Sequence, residues 1–240
     1  METHIVYPTY KPRRRTRNPG TERTVVFVAY PQMGLLDLTG AQTVFWAATR
    51  GLAQLGLPGY ALHTASLQGG PVQTGEGLVV QTRRLDELGD EPINTLIVPG
   101  SAFISQALRD NAPLVDWLRV TSATANRTTS VCSGAFFLAQ AGLLDGLRVA
   151  THWLMADMFE RLFPKVELDR EAIFVHQASV WTSAGVSAGI DLALALVEAD
   201  HGRELAMQVA RRMVVYYRRP DNQKQWSPLL QSQHSIAHER

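Results

Sequence analysis

Short apolar runs alternate along the chain with segments of helical periodicity. Thr24–Tyr30 (TVVFVAY) is a nearly unbroken apolar run, which predicts a parallel strand buried on both faces. From Ala41 to Leu55 the apolar residues recur at helical spacing, and Gly56 follows as a stop signal. A strand followed by a helix is the repeating unit of an α/β protein.

The rest of the chain continues this alternation. Gln68–Val80 contains four glycines and is predicted as a hairpin or turn excursion. Further strands are predicted at Tyr60–Ser66, Asn94–Val98, Thr128–Val131, Ile173–Val175 and Ser179–Thr182, and helices at Phe103–Leu108, Pro113–Ala123, Ala135–Ala141, Trp153–Leu162, Val186–Ala199 and Arg203–Tyr217. The order predicts an α/β sandwich with a mainly parallel sheet between two helical layers.

Both ends of the chain lack apolar periodicity. Residues 1–22 combine prolines with an arginine run and are predicted as a flexible basic extension. Residues 1–23 carry a local charge of +4, which leaves −3 on residues 24–240. We expect one domain over residues 23–218 and a polar tail over 219–240.

Composition narrows the class of protein. The 240 residues are 45% hydrophobic and 19% charged, with a net charge of +1, which is typical of a globular chain rather than a polyanion-coating one. The single cysteine excludes an internal disulfide and zinc-finger or iron–sulfur sites. No apolar run has membrane-spanning length, so we expect a soluble, cytoplasmic protein. We also expect that it uses no cofactor.

The chemistry is predicted at the carboxyl ends of the strands, where ligands bind in doubly wound sheets. Three segments should converge at this edge of the sheet: Leu36–Gly40, Pro99–Phe103 and Val131–Gly134. The strand that turns abruptly into a helix at Cys132, Ser133 and Gly134 follows the logic of a nucleophile elbow. A thiol facing a helix N-terminus should have a lowered pKa. The alternative is a buried cysteine that acts as a small hydrophobic residue.

Three other residues or pairs could take part in chemistry. Asp37, expected in the loop after the first strand, could bring a carboxyl group to the thiol, or it could simply cap the next helix. His152 could serve as a base, although such a residue more often starts a helix or satisfies a core hydrogen bond. His234 and His238 have helical i, i+4 spacing, but no third ligand accompanies them, and no metal site is predicted.

Four segments resemble a known family. They are 25–40 (VVFVAYPQMGLLDLTG), 96–100 (LIVPG), 130–153 (SVCSGAFFLAQAGLLDGLRVATHW) and 180–202 (VWTSAGVSAGIDLALALVEADHG). They resemble the DJ-1/PfpI (class I glutamine amidotransferase-like) superfamily, and more closely the amidase-like N-terminal domain of AraC-family transcriptional regulators. Residues 210–230 are similar to the segment that leads, in those regulators, into a helix-turn-helix DNA-binding module, which is not among these 240 residues.

The resemblance implies a flavodoxin-like fold and a pocket in which Asp37 and Cys132 face each other. We expect the same pocket to involve five further residues: Gly100, Ser101, Ser133, Gly134 and His152. Isonitrile hydratases of the superfamily have an aspartate and a cysteine matching these two, followed by threonine where this chain has Ser133. Ser133 also differs from the residue that follows the cysteine in the PfpI-like Cys-His proteases of the superfamily. The resemblance therefore gives His152 no clear role in a catalytic triad.

Two functions remain open at this point. The first is a ligand-sensing, dimerising domain that binds a small nitrogen-containing metabolite and meets DNA only through a C-terminal module. The second is a cysteine-dependent hydratase or amidase in which Cys132 attacks an electrophilic carbon and Asp37 moves a proton.

Overall fold

A computed structural model describes residues 21–89, 92–221 and 223–227. Predictions that concern residues 1–20, His234 and His238 fall outside these residues. The described strands are β1 (Arg23–Val28), β2 (Tyr60–Ser66), β3 (Gly70–Gln73), β4 (Val79–Arg84), β5 (Ile93–Val98), β6 (Arg127–Val131), β7 (Arg148–Val149), β8 (Glu167–Leu168), β9 (Phe174–Gln177) and β10 (Val180–Ser183).

Eight of these strands form one sheet in the order β3-β4-β2-β1-β5-β6-β10-β9. The six inner strands are parallel, and β3 and β9 pair antiparallel at the two edges. From β1 the chain passes to β2 on one side and later to β5 on the other. The topological switch point, where such sheets bind ligands, therefore lies between β1 and β5.

Helices cover the sheet. They are α1 (Leu35–Ala53), α2 (Ile104–Asp110), α3 (Ala112–Ser122), α4 (Ala135–Gln140), α5 (Ala156–Leu162), α6 (Ala188–His201) and α7 (Arg203–Arg212). Helices α1, α6 and α7 pack against one another, and α2 and α3 pack against α4. This arrangement confirms the predicted flavodoxin-like α/β sandwich with a mainly parallel sheet.

Two predicted boundaries are wrong. Asp37 lies in the first turn of α1, not in a loop, because the helix begins at Leu35. The last helix ends at Arg212 rather than Tyr217, since Val214 adopts a left-handed backbone with φ of 55°. The two-residue strands β7 and β8, which pair with each other, were not predicted.

A buried ion-pair network ties the amino-terminal edge of the sheet to α6. Both terminal nitrogens of Arg127 contact the Asp200 carboxylate, at 3.0 and 2.5 Å. Arg23 lies 2.9 Å from the same carboxylate, and the Tyr60 hydroxyl donates to it at 2.8 Å. Arg127 also donates from Nε to the Thr95 hydroxyl at 2.7 Å. The network therefore connects four strands, β1, β2, β5 and β6, at the edge opposite the carboxyl ends.

None of the helices within the described residues combines the length and the hydropathy that a membrane span requires.

Candidate active site

The turn at Cys132–Gly134, termed the elbow, joins a strand directly to a helix. β6 ends at Val131, a short 3-10 turn covers Cys132–Gly134, and α4 follows without a break. Cys132 has a φ of 58°, in the left-handed region, and its side chain is half-buried. The predicted abrupt turn from strand to helix is present.

Two glycines leave room for this turn. A Cβ atom added to Gly185 would lie 2.3 Å from the Cβ of Cys132, and one added to Gly100 would lie 2.8 Å from it. Real Cβ atoms essentially never approach that closely. The loops after β5 and β10 can therefore pack this closely against Cys132 only because glycine occupies positions 100 and 185.

Asp37 joins the loops that surround the cysteine. Its carboxylate accepts hydrogen bonds from the Gly100 N–H at 3.0 Å and from the Val186 N–H at 2.9 Å. Its side chain is buried at 4% exposure and also hydrogen-bonds the Cys132 thiol. The structure thus brings Asp37, Gly100 and Cys132 together from three strand ends.

The electrostatics of the pair differ from the expectation. Burial, together with the adjacent Asp37 charge, raises the pKa of Cys132 to about 12, against the lowering effect of the hydrogen bonds with Ser133. The predicted lowering of this pKa is therefore wrong. Burial also raises the pKa of Asp37, against the lowering effect of its hydrogen bonds from Val186, Gly100 and Cys132. At neutral pH the thiol is protonated and donates to the carboxyl group.

This correction has a measurable outcome. We expect the rate of Cys132 alkylation by iodoacetamide to keep rising with pH beyond the ~8.5 midpoint of a free thiol. The Asp37→Asn variant should react several-fold faster at the same pH, because it lacks the charge that disfavours the thiolate. Cys132 is the only thiol in the chain, so the total alkylation measured by mass spectrometry reports it directly. A wild-type midpoint below that of a free thiol would contradict the assignment.

Ser101 and Ser133 lock two loops together beneath the site. The Ser133 hydroxyl accepts from the Ser101 N–H and donates to the Ser101 carbonyl, both at 2.8 Å. The Ser101 hydroxyl donates to the Gln32 carbonyl at 2.6 Å and accepts from the Phe103 N–H at 3.0 Å. Both serines are buried, and these bonds position the loops. Contact of either serine with a ligand remains a prediction.

His152 has a local contact pattern. Its Nδ1 accepts from the Leu154 N–H at 3.3 Å at the start of a 3-10 turn, and its ring stacks on Trp153. Burial lowers its pKa. Across the described ranges, no hydrogen bond connects His152 to Asp37 or Cys132, so its contacts are those of a residue that starts a helical turn.

Sequence reasoning missed two neighbours of the pair. The Thr151 hydroxyl donates to the Cys132 carbonyl at 2.9 Å, and the Val186 N–H holds Asp37. Val186 follows β10 of the large sheet, whereas Thr151 follows β7 of the separate two-stranded sheet. Gly185, directly after β10, was the available signal for Val186. A search of the described part of the chain finds no cluster of three or more His, Cys, Asp or Glu side chains that could hold a metal ion.

An acidic side chain lies at the start of α1. Glu76, in the β3–β4 connection, accepts from the Leu35 N–H through both carboxylate oxygens, at 3.0 and 2.9 Å. Anionic groups are favourable at a helix N-terminus. The Glu76 charge also contributes to the raised pKa of Asp37, so this end of the site disfavours further negative charge.

Comparison with known proteins places this geometry in a family. The chain is 33% identical to the isonitrile hydratase of Pseudomonas putida over 184 residues, which cover 76% of this chain and 74% of that enzyme. It is 32% identical to the HTH-type transcriptional regulator CdhR of Pseudomonas aeruginosa over 195 residues, which cover 81% of this chain but 55% of the regulator. The chain thus spans about half the length of this regulator.

Solved structures share the fold. The crystal structure of an AraC family transcriptional regulator from Pseudomonas putida superposes with a TM-score of 0.69 at 22% identity, covering 80% of this chain and 99% of that one. Drosophila melanogaster DJ-1beta gives a TM-score of 0.70 at 18% identity, over 82% of this chain and all of that one. The DJ-1/PfpI family pattern matches residues 23–199, a range that holds Asp37, Cys132 and Val186. With its fold and its sequence in agreement, the chain belongs to the DJ-1/PfpI family.

Proposed function

We propose that this chain is the ligand-sensing, dimerising N-terminal domain of an AraC-family transcriptional regulator, acting in the cytoplasm as a homodimer. The observation that carries the proposal is the coverage asymmetry: four-fifths of this chain aligns with barely more than half of a helix-turn-helix regulator. The unmatched half of such a regulator leaves room for a separate DNA-binding module.

The state of the Asp37–Cys132 pair supports binding rather than turnover. A protonated thiol is a weak nucleophile, since the thiolate is the reactive form. The same pair offers a buried carboxyl group beside a half-exposed sulfur, and a carboxylate accepts hydrogen bonds from N–H groups. A small nitrogen-containing metabolite is the ligand that this chemistry favours.

The basic residues near the end of the domain support DNA contact through another module. Arg218 forms an ion pair with Glu198, and Arg219 forms one with Asp191 at 2.7 Å. Their charges are thus compensated within the domain, whereas phosphate binding requires cationic groups directed at the backbone of DNA. The domain would act on DNA by favouring one arrangement of the dimer over another.

A second candidate function is an isonitrile hydratase-like enzyme, favoured by the 33% identity over three-quarters of that enzyme. Asp37 would take the thiol proton while Cys132 Sγ attacks the terminal carbon of the isonitrile, and that carbon would gain the proton. Water would then add to the carbon and release the thiol, so that isonitrile plus water becomes an N-substituted formamide. This route needs Asp37 to ionise Cys132 despite burial.

One experiment separates the two functions. Purified protein is heated with a panel of amines, amides and amino acids, and separately incubated with an alkyl isonitrile while formamide is measured. A sensor should gain about 2.7 kcal/mol of stability from a ligand present at 100 times its Kd, without turnover. The matched variant Asp37→Asn should lose the shift. Formamide production that Cys132→Ala abolishes would instead establish the enzyme and overturn the sensor.

A further inference from the structure

The segment after α7 contacts two loops next to the site, the one that contains Ser187 and the one that contains Thr151. Its arginine Arg219 donates from the backbone N–H to Asp191 at 2.9 Å, from Nε to the same carboxylate at 2.8 Å, and from Nη2 to the Ser187 hydroxyl at 3.0 Å. Ser187 directly follows Val186, whose N–H holds Asp37. Arg219 is therefore linked to the Asp37 carboxyl group through Ser187, the adjacent Val186 and the hydrogen bond from the Val186 N–H.

Gln225 makes a denser set of contacts on the other side. Its Nε2 donates to the carbonyls of Thr151, Arg170 and Ala172, at 3.1, 3.2 and 3.2 Å. Its Oε1 accepts from the Trp153 N–H at 3.1 Å. The side chain thus uses both of its polar atoms to tie residues 151–153 to residues 170–172.

Thr151 connects this amide to the elbow. The Thr151 hydroxyl donates to the carbonyl of Cys132, the residue with the left-handed backbone, while the Thr151 carbonyl accepts from Gln225. A continuous path of two hydrogen bonds leads from the tail to the cysteine. Backbone pairing reinforces it, since Ala172 and Lys224 form an antiparallel bridge and the Gln225 N–H donates to the Glu171 carbonyl at 2.8 Å.

We propose that Gln225 is a positioning residue for the Cys132 elbow, and that the described residues 219–221 and 223–225 are energetically coupled to the Asp37–Cys132 site. A ligand or modification that changes the conformation of the elbow then changes how tightly this segment packs on the domain. By reciprocity, a change in the packing of the segment changes the conformation of the elbow. The inference deepens the proposed function and rests on it for its biological meaning: the segment that resembles the lead into a DNA-binding module would report occupancy of the site.

Alkylation of Cys132 by iodoacetamide tests the coupling without any metabolite. We expect Gln225→Ala to react about fivefold faster than wild type or more, and its pH profile to move to lower pH, because a released Thr151 exposes the thiol to water. Gln225→Glu should do the same, since a carboxylate would face three carbonyl oxygens. The matched control is Lys224→Ala, which removes only an exposed ion pair with Glu171. Equal rates and profiles in the Gln225 variants and the control would overturn the proposal.

The reciprocal measurement uses the wild-type chain, so it stands even if the Gln225 variants do not fold. Carbamidomethylated and unmodified proteins are compared by hydrogen exchange of the amides in residues 223–227. We expect exchange there to accelerate several-fold after modification, while β2 amides stay unchanged. Identical exchange in both proteins would overturn the coupling. Neither measurement depends on a ligand or on turnover, so their failure leaves the ligand-panel experiment as an independent test of the sensor.

Discussion

Asp200→Ala is expected to lower the free energy of unfolding by about 3–5 kcal/mol, because it leaves a buried guanidinium without its partner. The Arg127 and Asp200 side chains are each only 10% exposed. Without the carboxylate, Arg127 keeps the Thr95 hydroxyl, and the Tyr60 hydroxyl loses its acceptor. Burying an unpaired charge is costly, so a loss of this size is the physical expectation.

Urea denaturation of the variant measures this loss, and Asp86→Ala is its matched control. Asp86 also pairs with an arginine, Arg84, at 2.6 Å, but both side chains are exposed to about one half or more, and such pairs contribute about 0–1 kcal/mol. Equal effects of the two substitutions would show that the Asp200 network contributes no more than a surface ion pair.

Gly134→Ala is expected to destabilise the fold by about 1–3 kcal/mol or more, because its added methyl group would meet backbone. The new Cβ would lie 2.2 Å from the Val98 carbonyl oxygen and 2.8 Å from that of Pro99. These backbone atoms at the end of β5 cannot yield as a flexible side chain would, so α4 must move away from them. That movement also displaces Cys132, and we expect altered alkylation kinetics in the same variant.

Gly75→Ala is the control for this substitution. A Cβ at Gly75 would lie 3.4 Å from the nearest atom, the Gln32 carbonyl oxygen, which is ordinary contact. Thermal unfolding of both variants decides the question: a Gly134→Ala midpoint indistinguishable from that of Gly75→Ala would show that the elbow and β5 are less tightly packed than the distances require.

The sequence pattern was most informative where local signals and tertiary structure agree. The apolar run at the first strand predicted β1 because strands buried on both faces need continuous apolar residues. The elbow at Cys132 was predictable from its strand-to-helix turn. The end of α7 was not, because the left-handed Val214 that stops it is a β-branched residue with no preference for that conformation.

The site's chemistry depended on contacts that no local pattern contains. Asp37 and Val186 are 149 positions apart, yet a hydrogen bond joins them. The thiol pKa was mispredicted because a helix N-terminus and burial act in opposite directions, and only the packing around Cys132 shows that burial prevails. The role of Gln225 was equally invisible, since a glutamine in a polar tail carries no sequence signal.

The left-handed backbone at Cys132 lowers the free energy of unfolding of the whole domain. Glycine adopts such a conformation freely, whereas other residues in sparsely populated regions store about 1–3 kcal/mol of strain. Val186, which holds Asp37, has a φ of 49° and stores strain of the same kind. The backbone strain at Cys132 and Val186 therefore opposes folding, and favourable packing in the rest of the domain must offset it. A stabilising replacement at position 132 would be the one that removes the thiol, so thermostability and reactivity compete at this one residue.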